Sequence, residues 1–342
     1  MKAAVLEKIT DISENPAPLS FVELADPVPA RGEVLVRVTA CGVCHTELDE
    51  IEGRTPPAVL PFILGHQIVG IVAGCGPQAK KHQEGRRVGI GWIGFACGRC
   101  SYCTGGLENL CPDFKATGRD IPGGYALYVT VAEDFAIPVP EVFSDVQAAP
   151  LLCAGAIGHR SLHLAGIKNG EPLGLTGFGA SAHLVLQLSR HLYPASEVYV
   201  FARSESQRRF ALELGACWAG DTSHRSPRPL RAIIDTTPAW KPILEAMANL
   251  AAGGRLVINA IRKEGTDKNE MLRLDYPSHL WQEKEIKSVA NVTRHDIEEF
   301  LHIASLIPII PEVEVYEFGE ANRALAELKA GRNRGAKVLQ MP

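Results

Sequence analysis

Between residues 171 and 260 strand-like and helix-like segments take turns, and this alternation constrains the fold more than any other feature of the chain. EPLGLTGFGASAHLVLQLSRHL (171–192) runs strand, glycine-rich turn, helix; EVYVFARS (197–204) is a second strand and ESQRRFALELGA (205–216) a second helix. LRAIIDTT (230–237) is a third strand, PILEAMANLAAGG (242–254) a helix and RLVINA (255–260) a fourth strand. Strands separated by helices pair in parallel and are covered on both faces, so a doubly wound parallel sheet is expected. AAPLLCAGAIGHRSLHLAG (148–166), with helical periodicity, leads into it.

The first strand-to-helix turn reads Gly177-Phe-Gly179-Ala-Ser-Ala182. The first glycine permits the tight turn, the second lets a pyrophosphate approach the backbone, and the small third residue lets helix and strand pack closely. Amides at the helix start then face the phosphates. At the end of the second strand, where an NAD site usually carries Asp or Glu, the chain reads Ala202-Arg203-Ser204. Arg203 and Ser204, assisted by Arg208 or Arg209, suit a 2′-phosphate instead, so NADP(H) is favoured and NAD(H) is the alternative. The plainer reading is that these arginines only solvate a helix face.

Residues 1 to about 150 have a different texture. GEVLVRVTACGV (32–43) alternates, IVGIVAGCG (68–76) and RVGIGWIG (87–94) are rich in Val, Ile and Gly, and GGYALYVTV (123–131) is a further strand. This half reads as a β-barrel or sandwich. The tail from about 290 has a helix (HDIEEFLHIASL), a strand (VEVYEF), a helix (GEANRALAELKAG) and a last strand (AKVLQM), and is expected to return to the first domain. At 342 residues and roughly 150 per domain, two domains are expected.

Nine cysteines, at 41, 44, 75, 97, 100, 103, 111, 153 and 217, are an odd number, and four crowd together. Cys97, Cys100, Cys103 and Cys111 form C-x2-C-x2-C-x7-C. Four thiolates satisfy tetrahedral zinc and leave no open position, which makes the site structural. An iron–sulfur cluster and free structural thiols are the competing readings. Cys44 in CGVCHTE, His66 in LGHQIVG and Cys153 after Pro150 form a second set. One His with two Cys holds catalytic zinc with a fourth position open. A helix beginning near Cys153 would favour its thiolate. Taken singly each residue reads as core, and Cys41 with Cys44 also reads as a redox pair.

Together GVCHTE (42–47), GHQIVG (65–70), the cysteine quartet, GGYALY (123–128), PLLCAG (150–155), GFGASA (177–182) and GAKVLQM (335–341) resemble the zinc-dependent alcohol dehydrogenases of the medium-chain dehydrogenase/reductase superfamily, across nearly the whole chain. The resemblance implies an α/β plus β fold: a GroES-like catalytic domain over 1–150, a Rossmann dinucleotide-binding domain over 151–289, and a return to the catalytic domain over 290–342, with the active site in the cleft between domains. It implies two Zn2+ per subunit, one on Cys44, His66 and Cys153 and one on the quartet. Thr46 matches the hydroxyl residue that takes the alcohol proton, and His45 the basic residue that meets the cofactor pyrophosphate. The partner is a small alcohol or carbonyl compound, and a homo-oligomer, tetramer or dimer, is implied. Four positions depart from the pattern: Glu47 stands where Asp is usual, still able to support the zinc from behind a ligand; Gln67 stands where Glu is usual, Asp49 where many relatives have a relay His, and Ala336 where relatives often carry a phosphate-binding Arg. Trp92 is either a pocket residue near the zinc or a packing residue.

Composition removes other classes. Lys+Arg at 35 against Asp+Glu at 39 makes the net charge −4, a poor basis for nucleic-acid binding. The N-terminus has no signal-peptide h-region, and the most apolar stretch, 59–75, is broken by His66, Gln67 and glycines, so a cytoplasmic, non-membrane protein is expected. The expected activity is reversible hydride transfer between an alcohol and NAD(P)+. Polyol, threonine or aryl-alcohol dehydrogenases and enoyl reductases share the scaffold, and a catalytically silent nucleotide-binding protein is the rival of another class.

Overall fold

Along Glu33–Val43, Val34, Val36, Val38 and Ala40 are fully buried while Leu35 and Arg37 between them are not, which is the period-two signature of a strand with one face on a core. Each such valine stabilises the fold by about 1.5–3 kcal/mol relative to an exposed one. This strand organises the first of two units in the computed structural model, which describes residues 1–307, 309–331 and 334–342. The first unit is Met1–Ala156 with Val292–Pro342, and the second is Ile157–Asn291.

In the first unit, among the described residues, a seven-stranded sheet runs in the order Ile137–Pro138, Arg87–Ile90, Ile68–Cys75, Glu33–Val43, Ala336–Gln340, Val313–Glu317, with Tyr128–Ala132 also on Glu33–Val43. Pairing is antiparallel except between the last two strands of that order. In the strand Ala336–Gln340, Lys337 lies opposite Val43 and Gln340 opposite Ala40. A separate, smaller sheet is formed by Lys2–Leu6, Leu19–Glu23 and Phe62–Ile63, and the Ala4 N–H donates to the Tyr125 carbonyl at 2.8 Å, in the segment that leads into Tyr128–Ala132. GGYALYVTV is regular strand only from Tyr128, because Gly124 and Tyr125 donate instead to Gly65 and Leu64. RVGIGWIG is two strands, Arg87–Ile90 and Ile93–Phe95, interrupted at Gly91 and Trp92.

The second unit is the doubly wound sheet. Six parallel strands run in the order Trp218–Gly220, Val198–Phe201, Leu173–Thr176, Leu230–Asp235, Leu250–Ile258, Glu285–Ser288. The strand order reverses between Leu173–Thr176 and Leu230–Asp235, and crevices at such a switch point bind ligands at the carboxyl ends of the strands. The helix expected over 242–254 ends at Met247, and strand begins at Leu250. Pairing of Leu250 with Leu230 overrides the apolar helical pattern there. The short strands Trp218–Gly220 and Glu285–Ser288 lacked an alternating pattern to announce them. No helix among the described residues is long and apolar enough to cross a membrane.

Candidate active site

Four thiols of the quartet lie within 4.8 Å of one another. Gly98 (φ +69°) and Gly106 (φ +73°) take left-handed turns that an L side chain would resist, and these bend the chain around the sulfurs. The Cys97 amide donates to the Cys111 sulfur and the Cys100 amide to the Cys97 sulfur, each at 3.4 Å. Backbone N–H groups of Arg99 and Cys100 hold the Cys97 thiol down to about 6, while burial and the Cys100 thiol push Cys103 up to about 12. One sulfur is thus already disposed to be a thiolate, and four sulfur donors at tetrahedral reach suit zinc. The lobe is tied down by Glu108, which accepts from the Arg294 side chain at 3.0 and 2.7 Å and from its backbone amide at 2.7 Å.

Cys44, His66 and Cys153 also lie within 4.8 Å of one another, all inside the first unit. His66 Nε2 is 3.7 Å from the Cys44 sulfur and 3.2 Å from that of Cys153. Cys44 caps the helix His45–Ile51, and its sulfur accepts from the Thr46 amide at 3.4 Å. Glu47 completes a capping box, accepting the Cys44 amide at 2.9 Å through Oε2, while Oε1 faces His66 Nδ1 at 2.5 Å. Both Glu47 and His66 are fully buried. Burial alone would lower the His66 pKa, but the Glu47 carboxylate and Cys44 outweigh it and hold that pKa well above its ordinary value. The Cys153 hydrogen bond and burial push the Cys44 thiol up. A dication would displace these protons; Glu47 would keep one on Nδ1 and leave Nε2 as the donor. Two sulfurs and one imidazole nitrogen fit zinc with a position left open.

Cys153 reaches the cluster by a route other than the expected one. No helix begins beside it: Ser144 and Gln147 cap a helix that starts at Asp145, and Pro150 lies inside that helix. Leu151–Gly155 then forms a π-turn that runs into the helix Ala156–Ala165. Proline lacks the N–H of the regular ladder, and a wider turn absorbs the mismatch. The thiol therefore owes nothing to a helix N-terminus. A Cβ on Gly155 would collide with the ring of Phe300, so the helix Arg294–Leu306 packs directly on the π-turn.

Thr46 is buried and His45 exposed at the start of the same helix. Asp49 accepts from Arg54 Nε at 2.5 Å and is thereby engaged in an ion pair. Gln67 is buried with its side chain against Gly42. Trp92 packs at 5.0 Å from Phe114, with the Arg119 guanidinium 5.0 Å over its ring.

In the second unit Gly177 has φ +80°, and a Cβ there would stand 2.8 Å from the Thr236 hydroxyl. Gly179 caps the helix Ala180–Leu192, with no side chain of its own over the first amides, and Ala182 is fully buried. Ser204 caps the next helix, accepting the Gln207 amide at 3.4 Å, and Arg203 beside it is exposed. Arg208 turns back to the carbonyls of Ala202 and Arg203 at 2.8 and 2.7 Å. Arg209 pairs with Glu205 at 3.2 Å on the solvent face, which is the plain surface role. Sequence reasoning passed over two features: Glu50, buried with both carboxylate oxygens lacking a hydrogen-bond partner, and the buried pair Asp235–Lys263. Aspartate closing the apolar run LRAIID was the available signal for the second.

The alcohol dehydrogenase GroES-like domain family matches residues 30–141. A probable alcohol dehydrogenase of Mycobacterium tuberculosis is 42% identical over 327 residues, covering 94% of this chain and 92% of its own length. An alcohol dehydrogenase of Geobacillus stearothermophilus is 31% identical, covering 100% of this chain and 99% of its own. Among solved structures, an NAD-dependent alcohol dehydrogenase superposes with a TM-score of 0.88 at 25% identity, with full coverage of both chains.

Proposed function

The chain belongs to the zinc-dependent alcohol dehydrogenases of the medium-chain dehydrogenase/reductase superfamily and is an oxidoreductase acting on CH–OH groups, and from that premise we propose that it transfers hydride reversibly between a primary or secondary alcohol and a nicotinamide dinucleotide, with NADP(H) preferred. The observation that carries the reading is His66 Nε2 standing between two sulfurs with the Glu47 carboxylate behind its other nitrogen. Cys44, His66 and Cys153 would hold the catalytic zinc, and the quartet a structural one. Zinc supplies a Lewis acid that eases loss of the alcohol proton, and the nicotinamide supplies the hydride acceptor. The Thr46 hydroxyl would accept the substrate proton as it releases its own along a relay through the cofactor ribose to solvent. Glu47 keeps the His66 ring oriented, and buried neighbours exclude bulk water from the donors. Gly177, Gly179 and Ala182 seat the pyrophosphate, and His45 is a further partner for the phosphates.

NADP(H) preference rests on Arg203 and Ser204 at the exit of Val198–Phe201, where no acid stands to receive ribose hydroxyls. The NAD-dependent solved relative makes NAD(H) the competing choice. Arg208, bound to two carbonyls, contributes by shaping that loop. A homo-oligomer is supported by the sheet-edge strand Glu285–Ser288, with exposed Ile286 on it, and by the exposed Leu272, Tyr276 and Trp281 in the segment that precedes it. Light scattering that returns a monomer overturns that part. A cytoplasmic location accords with the thiol-rich donor sets.

The test is metal removal. Chelation should abolish turnover on a panel of alcohols and zinc should restore it, with two equivalents per subunit by elemental analysis; undiminished turnover by protein shown to be metal-free overturns the mechanism. For the cofactor, Arg203→Ala should lower kcat/KM for NADP+ selectively, and equal losses with both dinucleotides refute the phosphate assignment.

A further inference from the structure

Gly177 is walled on one side by Thr236 and Thr237: a Cβ at Gly177 would stand 2.8 Å from the hydroxyl of the first and 3.0 Å from a methyl of the second. The wall is held from two directions. Thr236 donates to the Thr176 carbonyl from its amide at 2.9 Å and from its hydroxyl at 3.0 Å. Thr237 donates its hydroxyl to Asp235 Oδ1 at 2.8 Å, and its carbonyl accepts from Lys263 Nζ at 2.6 Å. Lys263 also pairs with the other oxygen of Asp235. Asp235 is fully buried and Lys263 nearly so.

Two strand exits are joined by this one ammonium group. Asp235 ends Leu230–Asp235, and Lys263 follows Leu250–Ile258, the next strand in the sheet. Asn259 adds a backbone bond to the Asp235 carbonyl at 2.9 Å, and Glu264 one to that of Pro238 at 2.8 Å. Burial raises the Asp235 pKa, and Lys263 opposes it. An ion pair in such a setting stabilises little in net terms, because desolvation offsets attraction. What it does supply is geometry: three fixed bonds at the point where the strand order reverses, directly beside the glycine turn.

We propose that Lys263 is a positioning residue for the dinucleotide, acting through Asp235 and Thr237 to hold the wall of the Gly177 turn at the spacing that the pyrophosphate needs. The inference rests on the reading that this turn seats the cofactor. It predicts an effect on both dinucleotides alike, because the wall lies at the glycine turn and not at the exit of Val198–Phe201, where Arg203 stands.

The experiment titrates the holoenzyme with NADPH and with NADH, following cofactor fluorescence. Lys263→Met should raise both dissociation constants about tenfold and leave their ratio unchanged, whereas Lys263→Arg, which keeps the charge and donors, should stay within about threefold of the parent. Should Lys263→Met fold poorly because it strands a buried carboxylate, the double variant Asp235→Asn with Lys263→Met removes both charges and should still bind both cofactors about tenfold more weakly. A folded variant with a shifted melting temperature but parental dissociation constants shows a purely structural pair and overturns the proposal. Failure of the parent itself to bind either dinucleotide would instead overturn the cofactor reading beneath it.

Discussion

Replacing Glu47 with glutamine isolates what the carboxylate does for His66. The substitution keeps chain length and shape, and glutamine at this position still accepts the Cys44 amide, so the capping box and the helix His45–Ile51 persist. What changes is the 2.5 Å contact to His66 Nδ1: with its one oxygen on the Cys44 amide, glutamine turns its NH2 toward that nitrogen and the bond is lost. Hydrogen bonds to charged partners contribute about 1.5–3 kcal/mol and neutral ones about 0.5–1.5. Losing that charge-assisted bond, about 1.5–3 kcal/mol, corresponds to roughly a ten- to hundredfold loss in zinc affinity. Partners behind metal-bound histidines typically carry about 10–100-fold, and the expectation falls within that range. Competition against a chromophoric chelator measures it, and the quartet provides an internal reference, because its affinity should not move. Glu47→Gln with parental affinity at the mixed-donor site, and an intact fold by circular dichroism, would refute the argument that Glu47 orients and polarises the ligand.

Three further outcomes follow from the geometry. Cys103→Ser should cost one zinc equivalent and lower the thermal midpoint, since a closed sulfur site contributes folding free energy; unchanged metal content would count against the quartet as a site. Gly155→Ala should destabilise the fold by about 1–3 kcal/mol or more in urea titrations, because its new methyl meets the Phe300 ring where the π-turn is packed, and a neutral effect would mean that the helix can retreat. Burial and the Glu47 carboxylate push Glu50 well above the usual carboxylate range. A raised acid keeps its proton in the folded state while the unfolded chain loses it, so stability falls as pH rises from about 4.3 toward the folded value. Glu50→Leu should therefore gain stability over the parent at neutral pH, with the gap narrowing toward pH 4; a gap that is constant or widens on acidification contradicts this.

Local chemistry was legible without coordinates wherever spacing is short. The quartet spans fifteen residues, so its sulfurs have to meet, and Gly177-x-Gly179-x-x-Ala182 declares both a turn and the helix behind it. The alternation of strand and helix from 171 onward likewise implies a parallel sheet whatever the details of its packing. Long-range facts were not legible in the same way. That the chain's end pairs Lys337 with Val43 depends on a register spanning nearly the whole chain, and the strand at Leu250 exists because Leu230 pairs with it.

Cys44, His66 and Cys153 show where the division lies. Their identities are written in the chain, and resemblance to a family singled them out from other cysteines and histidines. Their approach to within 4.8 Å comes from a capped helix, a glycine at φ +95° before His66 and a π-turn after Pro150, three devices far apart in sequence. Solvation and charge are decided at the same level: Glu47, Asp49 and Glu50 are neighbours on one short helix, yet one faces an imidazole, one an arginine, and one is buried with neither oxygen hydrogen-bonded. Residue type sets what a side chain is able to donate or accept, but only packing determines which partner, and how little water, it meets.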